Sequence, residues 1–102
     1  MDQNEFLNKI KTQVLKEDEN ASLILFGSRA REDFREDSDW DLLILTSKDL
    51  GYQLKRKLRD DIYDVELEYT QPVSTIIVEK EKWNRLSITP LYKNVLAEGK
   101  ML

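Results

Sequence analysis

Two short motifs in the first half of the chain carry residue types that could act on a nucleotide. Gly27-Ser28 ends one apolar run, and Asp39 and Asp41 stand two residues apart at the start of the next. Side chains at i and i+2 of a strand point to the same side, so the two carboxylates would lie together. Carboxylates this close raise each other's pKa unless a cation lies between them. Their hard oxygens suit Mg²⁺ or Mn²⁺ shared with phosphate oxygens, and the pair therefore predicts a metal site.

The Gly27-Ser28 turn could hold phosphates. A strand that ends in glycine and opens a helical turn leaves free backbone N–H groups, and the Ser28 hydroxyl could add a donor. One of Arg29 and Arg31 could reach a phosphate while the other pairs with a nearby acidic side chain. Each feature also has an ordinary explanation: a serine N-cap, surface ion pairs, and solvated carboxylates where a strand begins. Only the combination favours a nucleotide site.

The composition excludes several other kinds of chemistry. The 102 residues predict a single domain, 1–102, without cysteine or histidine, which removes thiol and imidazole chemistry and the usual zinc ligands. Sixteen basic and twenty acidic residues give a net charge of −4, which argues against general nucleic-acid binding. We find no leader pattern and no apolar run that predicts a membrane span, so we expect a cytoplasmic protein.

The elements that must position these motifs follow from the hydrophobic spacing. A charged connector at residues 32–38 separates the two motifs. The predicted order is a helix, a strand, a helical turn, a strand, a long helix, a strand, a helical turn and a last helix. Their predicted ranges are 2–16, 23–26, 28–31, 42–45, 50–69, 73–78, 81–85 and 91–98.

The segment 50–69 allows two interpretations. Its apolar residues recur at steps of four, four, four, three and four, which predicts one long helix, whereas residues 64–69 alternate like a strand. We expect the helix because six matches outweigh three alternations. Pro72 would end it, and the β-branched run at 73–78 would form the next strand.

Residues 25–31 and 37–44, together with a tail at 90–99, resemble the minimal nucleotidyltransferases of the polymerase-β-like superfamily. Antitoxin partners of HEPN-domain toxins are among them. The resemblance implies an α/β (α+β) domain with a mixed sheet of at least three strands flanked by helices. It also implies two-metal transfer of a nucleoside monophosphate from a nucleoside triphosphate, with pyrophosphate leaving.

Roles for the motif residues follow from the same resemblance. It implies that Gly27 and Ser28 hold the β- and γ-phosphates and that Asp39 and Asp41 coordinate Mg²⁺ and are catalytic. With the arginines, the nucleotide-binding residues would be Gly27, Ser28, Arg29 and Arg31. A HEPN-type protein is the implied partner.

The chain departs from the family at two places. Glu32 stands where the family usually has glycine, so the loop there would differ or carry extra negative charge near the phosphates. Active members also place a third carboxylate on the third strand, where this chain has Ser74 and Thr75. If residues 64–69 formed a strand, Glu66 or Glu68 would supply that ligand; on a helix, both would be poor substitutes.

Two functions are consistent with these features. The first is an enzyme that moves a nucleoside monophosphate, AMP from ATP, to a hydroxyl acceptor on a partner protein. The alternative is a nucleotidyltransferase-like binding module with weak or no turnover, which regulates its partner by surface contact. A subunit that processes nucleic acid is disfavoured by the acidic balance.

Overall fold

Four strands form one mixed sheet with helices on both faces in the computed structural model, which describes residues 2–102. The strands are β1 (Ser22–Phe26), β2 (Trp40–Thr46), β3 (Val73–Glu79) and β4 (Lys100–Met101). They lie in the order β3-β2-β1-β4; β2 and β3 run parallel, whereas β1 is antiparallel to both β2 and β4. The mixed sheet implied by the resemblance is confirmed.

Within residues 2–102, one α-helix precedes the first strand, and four α-helices and a 3-10 turn connect the strands. They are α1 (Gln3–Glu17), α2 (Ser28–Arg31), α3 (Gly51–Tyr69), α4 (Lys80–Trp83), the 3-10 turn Asn84–Leu86, and α5 (Pro90–Glu98). No helix within residues 2–102 is both long and apolar enough to cross a membrane. Every helix and strand predicted from the spacing is present, with bounds shifted by at most two residues.

Local capping explains where the outer helices begin and end. The Asp2 side chain accepts hydrogen bonds from two first-turn N–H groups of α1, and the Thr89 side chain accepts one from Tyr92 at the start of α5. Pro90 opens α5, a position where its missing N–H costs nothing. Gly99 follows α5 as predicted, but its backbone is extended with φ −65° because the chain leads directly into β4.

The long segment before β3 is a helix throughout, and the strand interpretation of residues 64–69 is wrong. α3 buries Leu58, Ile62 and Val65 along one side and ends at Thr70, which takes the left-handed conformation at φ 54°. The helical spacing prevails because those side chains enter a core that a strand at 64–69 would leave uncovered.

Alternation along β2 divides the core between the two faces of the sheet. On one face Trp40, Leu42 and Ile44 pack against α1 and α3; we call it the α1–α3 face. On the other, Leu43 and Leu45 pack against α4 and α5; we call it the α4–α5 face. Asp41 alternates with its apolar neighbours and therefore lies on the α4–α5 face, where the sheet ends.

Candidate active site

The two aspartates of the predicted metal site lie at the start of β2, in the middle of the sheet. Asp39 is exposed immediately before the strand, and the half-buried Asp41 stands opposite Phe26 on β1 and Ser74 on β3. The Ser74 hydroxyl donates to Asp39 Oδ2 at 3.4 Å. The neighbouring strands therefore bring a hydroxyl to the carboxylate pair.

The electrostatics of Asp41 reflect its crowded position. Burial raises the pKa of Asp41, and the Asp39 carboxylate raises it further. The Arg31 guanidinium acts in the opposite direction, and Glu98 adds to the increase. A nearby cation would favour the ionised form of Asp41 and offset this increase.

The donor set fits a hard divalent cation shared with phosphate. Asp39 and Asp41 offer carboxylate oxygens, and Ser74 offers a hydroxyl. Across residues 2–102 there is no group of three or more acidic, histidine or cysteine side chains that could hold a metal ion by itself. The two carboxylates therefore leave most coordination positions to water and substrate oxygens, which is how Mg²⁺ is commonly bound in phosphate chemistry.

Trp40, between the two aspartates, anchors this segment to the α1–α3 face. Its indole N–H donates to Gln71 Oε1 at 2.9 Å, and its ring lies 5.4 Å from that of Phe6. The side chain is almost fully buried. A fixed Trp40 fixes the directions of Asp39 and Asp41.

Gly27 brings the turn that is predicted to hold phosphates into contact with Asp41 of the aspartate pair. Its backbone has φ 75° and ψ −160°, a region that is essentially restricted to glycine. A Cβ atom at this position would clash with the Asp41 carboxylate. The two motifs are therefore in contact, and glycine is required both for the backbone conformation and for the close approach to Asp41.

The two arginines of the turn have different surroundings. Arg29 is buried, its guanidinium lies 4.2 Å from the Phe34 ring centroid and 4.4 Å from that of Trp40, and it donates to the carbonyls of Glu36 and Ser38. These carbonyls engage the Nε and Nη2 atoms of Arg29, and its guanidinium is stacked between two aromatic rings. Arg29 therefore holds the loop that leads to Asp39, and its assignment as a nucleotide-binding residue is corrected.

Arg31 is the arginine that lies near the aspartate pair. Its guanidinium is about half exposed and bridges the carboxylates of Asp33 and Glu98, at 3.1 and 3.0 Å. It also lies near enough to Asp41 to lower the pKa of that group. Arg31 is thus both the arginine that pairs with acidic side chains and the one near Asp41, and its binding to a phosphate stays a prediction.

Glu66 and Glu68 do not complete the site, and the suggestion that one supplies a third carboxylate is wrong. Both lie on α3. Glu66 Oε1 accepts a hydrogen bond from the Val73 N–H at 2.7 Å, and Glu68 forms an ion pair with Lys9 at 2.7 Å. Because β3 presents Ser74 opposite Asp41, the third-strand position holds a hydroxyl instead of an acid.

Glu98, at the end of α5, is the residue that sequence reasoning missed. Glu98 Oε1 accepts from the Gly27 N–H at 3.0 Å, and its other oxygen accepts from Arg31 at 3.0 Å. The only signal in the sequence was the Glu98-Gly99 pair in the family-like tail. Contacts across 71 and 67 residues leave no local periodicity that would reveal them.

The backbone conformation of Glu32 explains why the family usually has glycine at this position. It follows α2 with φ 65°, a left-handed conformation that glycine adopts most easily. Its side chain reaches Lys100 Nζ at 3.4 Å. The substitution thus retains the turn, and part of the extra negative charge is paired.

The chain belongs to the nucleotidyltransferase domain family, which residues 7–101 match. Its motifs and fold are those of a minimal nucleotidyltransferase. Two proteins of Methanocaldococcus jannaschii, both provisionally named protein adenylyltransferases, are similar along nearly the whole chain. The first is 33% identical over 98 residues, and the match covers 96% of this chain and 91% of that protein. The second is 35% identical over 101 residues, and the match covers 97% of this chain and 67% of that protein.

Solved structures agree with this fold. A toxin–antitoxin crystallised with AMP-PNP superposes with a TM-score of 0.65 at 21% identity, over 92% of this chain and 69% of that one. A mutant of the toxin–antitoxin MntA–HpeT gives a TM-score of 0.61 at 20% identity, over 100% and 72%. At these identities the likeness shows the fold.

Proposed function

We propose that this protein is a Mg²⁺-dependent nucleotidyltransferase that transfers AMP from ATP to a hydroxyl group of a partner protein. The observation that carries the proposal is the packing of the Gly27 turn directly against Asp41. Because the turn that would hold phosphates contacts the aspartates that would hold a cation, the oxygens of one triphosphate could bind to both. The names of the two archaeal relatives support a protein as the acceptor.

In the proposed reaction the acceptor hydroxyl oxygen attacks the α-phosphorus of ATP. The new oxygen–phosphorus bond forms as the bond to the β-bridging oxygen breaks, and pyrophosphate leaves with that electron pair. The hydroxyl proton passes to water, because β3 carries Ser74 where a carboxylate base would stand. The protein contributes mainly by positioning the reactants.

The residues of the site divide this task. Gly27, Ser28 and Arg31 hold the β- and γ-phosphates, and Asp39 and Asp41 hold Mg²⁺. When bound, the ion neutralises phosphate charge and lowers the pKa of the attacking hydroxyl. Ser74 holds Asp39 in place through its hydrogen bond of 3.4 Å.

The proposed partner is a HEPN-type protein in a cytoplasmic toxin–antitoxin pair. The toxin–antitoxin structures that share this fold support a protein partner, and the one with AMP-PNP supports an adenine nucleotide.

Label transfer tests the proposal. The protein is incubated with ATP labelled at the α-phosphate, Mg²⁺ and a co-expressed HEPN-type partner. We expect label on the partner with wild type and none with Asp39→Asn/Asp41→Asn. Asp60→Asn/Asp64→Asn is the matched control: it removes the same charge from two exposed positions on α3. Equal labelling by the Asp39/Asp41 double variant would refute the proposed site.

A binding module with weak or no turnover is the second candidate, favoured by Ser74 in place of an acid. On this hypothesis the protein restrains its partner by contact alone. Inhibition of the partner that survives Asp39→Asn/Asp41→Asn would support the module, whereas loss of inhibition together with loss of label would support the enzyme.

A further inference from the structure

The carboxylate of Glu98 binds the Gly27 N–H and also Arg31, which the proposed function assigns to the triphosphate. One oxygen accepts from the Gly27 N–H and the other from Arg31, each at 3.0 Å. The Glu98 side chain is 18% exposed, whereas that of Arg31 is 47% exposed. Glu98 is thus the more buried member of the pair and Arg31 the more exposed one.

The fold itself holds Glu98 at this position. Gly99 follows it, donates to the Val95 carbonyl at 2.8 Å and leads directly into β4, which pairs with β1. A Cβ on Gly99 would meet that carbonyl and the Ile24 side chain, so the chain passes there at close quarters. The end of α5 is therefore fixed beside the strand that ends at Gly27.

A carboxylate and a phosphate compete for the same guanidinium. Arginine binds both through the same N–H groups, in the same charge-assisted way. An entering polyanion must therefore take Arg31 away from an anion that is already in place.

We infer that Glu98 is an internal anion that competes with the nucleotide's phosphates for Arg31 and thereby sets nucleotide affinity. The Gly27 N–H anchors one Glu98 oxygen, and the other oxygen retains Arg31 until a triphosphate replaces it. This inference rests on the proposed function, because it requires Arg31 to meet the triphosphate. Glu98 is a positioning residue and takes no part in the bond changes.

Glu98→Gln removes the negative charge that Arg31 binds. The amide has one acceptor oxygen, so it can accept from the Gly27 N–H or from Arg31 but not from both, and in either orientation the ion pair with Arg31 is lost. Glu19→Gln is the matched control: it removes the same charge at an exposed position near the other end of β1. Thermal unfolding of both variants checks that they fold before binding is measured.

Isothermal titration is performed with MgATP, inorganic tripolyphosphate and adenosine. We expect Glu98→Gln to bind both phosphate ligands about 3- to 10-fold more tightly than wild type. Adenosine binding should not change, and Glu19→Gln should match wild type. In an Arg31→Gln background the effect of Glu98→Gln should fall to less than half of its wild-type size, since only the direct repulsion between Glu98 and the phosphates remains. A merely structural role of Glu98 would give the same effect in both backgrounds.

The outcomes separate this inference from the proposed function. If wild type binds MgATP and Glu98→Gln binds it no more tightly, competition by Glu98 is refuted while the nucleotide site stands. If neither protein binds a nucleotide or tripolyphosphate, both ideas fail. Binding by Glu98→Gln alone would support the competition strongly.

Discussion

The α1–α3 face of the sheet is a closed hydrophobic core, whereas the α4–α5 face is partly covered and ends at the candidate active site. Fourteen buried residues form the cluster on the first face, and four form the cluster on the second. The larger core on the α1–α3 face holds β2, and with it the two aspartates, in position. The thinner cover leaves Asp41, Ser74 and Arg31 near solvent, where a nucleotide could enter. Stability and chemistry are therefore assigned to opposite sides of the same strands.

Phe6→Ala, in the core of the α1–α3 face, should cause the largest loss of stability. Phe6 is fully buried and lies 5.4 Å from the rings of both Trp40 and Tyr69. We expect a loss of about 4 kcal/mol in the free energy of unfolding, measured with urea, from the cavity that remains. Leu96→Ala, at an exposed position on α5, should change stability by less than about 0.5 kcal/mol. An equal loss from both substitutions would contradict the assignment of stability to the α1–α3 face.

Gly27→Ala should break the site and affect stability less than Phe6→Ala. The new Cβ clashes with the Asp41 carboxylate and the backbone there is strained for alanine, so we expect at least about tenfold weaker MgATP binding and a stability loss of about 1–3 kcal/mol. Gly51→Ala is the matched control, because Gly51 also has positive φ but a Cβ added there would have no neighbour within 4 Å. It should lose about 1 kcal/mol and bind MgATP normally. Normal binding by Gly27→Ala would remove Gly27 from the site.

Asp18→Asn tests whether a substitution at the end of the sheet remote from Gly27 changes stability without changing the candidate active site. Burial raises the pKa of Asp18, but hydrogen bonds from the hydroxyl and N–H of Ser47 and from the Asn20 N–H outweigh it and hold the pKa below its usual 3.8. The ionised carboxylate therefore stabilises the fold at neutral pH, and this contribution is lost as the pH falls through the lowered pKa. We expect Asp18→Asn to cost about 2 kcal/mol at pH 7, with unchanged MgATP affinity.

The pH dependence provides the check on Asp18. Urea unfolding of wild type should lose stability more steeply below about pH 4 than unfolding of the variant, since the variant lacks this titrating group. Parallel curves for the two proteins would show that the Asp18 hydrogen bonds contribute little.

Thr70→Gly, after α3, and Glu32→Gly, after α2 near the candidate active site, should give the smallest changes in stability. Both residues take left-handed conformations, at φ 54° after α3 and φ 65° after α2. Glycine relieves that strain, and we expect each change to raise the free energy of unfolding by up to about 1 kcal/mol. Thr70 should gain more because it is β-branched, and Glu32 also loses its contact with Lys100 at 3.4 Å. Thermal unfolding would show a lower melting temperature if either conformation were not strained.

Much of the fold was predictable because its signals are local. The apolar steps along α3, the proline that opens α5 and the β-branched run of β3 each lie within one element, and the structure confirms all three. The two-residue β4 went unpredicted, since Lys100 and Met101 form a strand only by pairing with β1. The third carboxylate was left open because residues 64–69 contain both a helical and an alternating pattern.

Local sequence patterns predict that a Gly-Ser turn ends one apolar strand and that an aspartate pair begins the next, because strand alternation and turn chemistry act over a few residues. The position of Arg31 near Asp41, the burial of Arg29 and the register that places Ser74 opposite Asp41 follow from tertiary packing. This packing also brought Glu98 to Gly27 across 71 residues. These choices depend on which elements pack together, and packing is decided by the whole core.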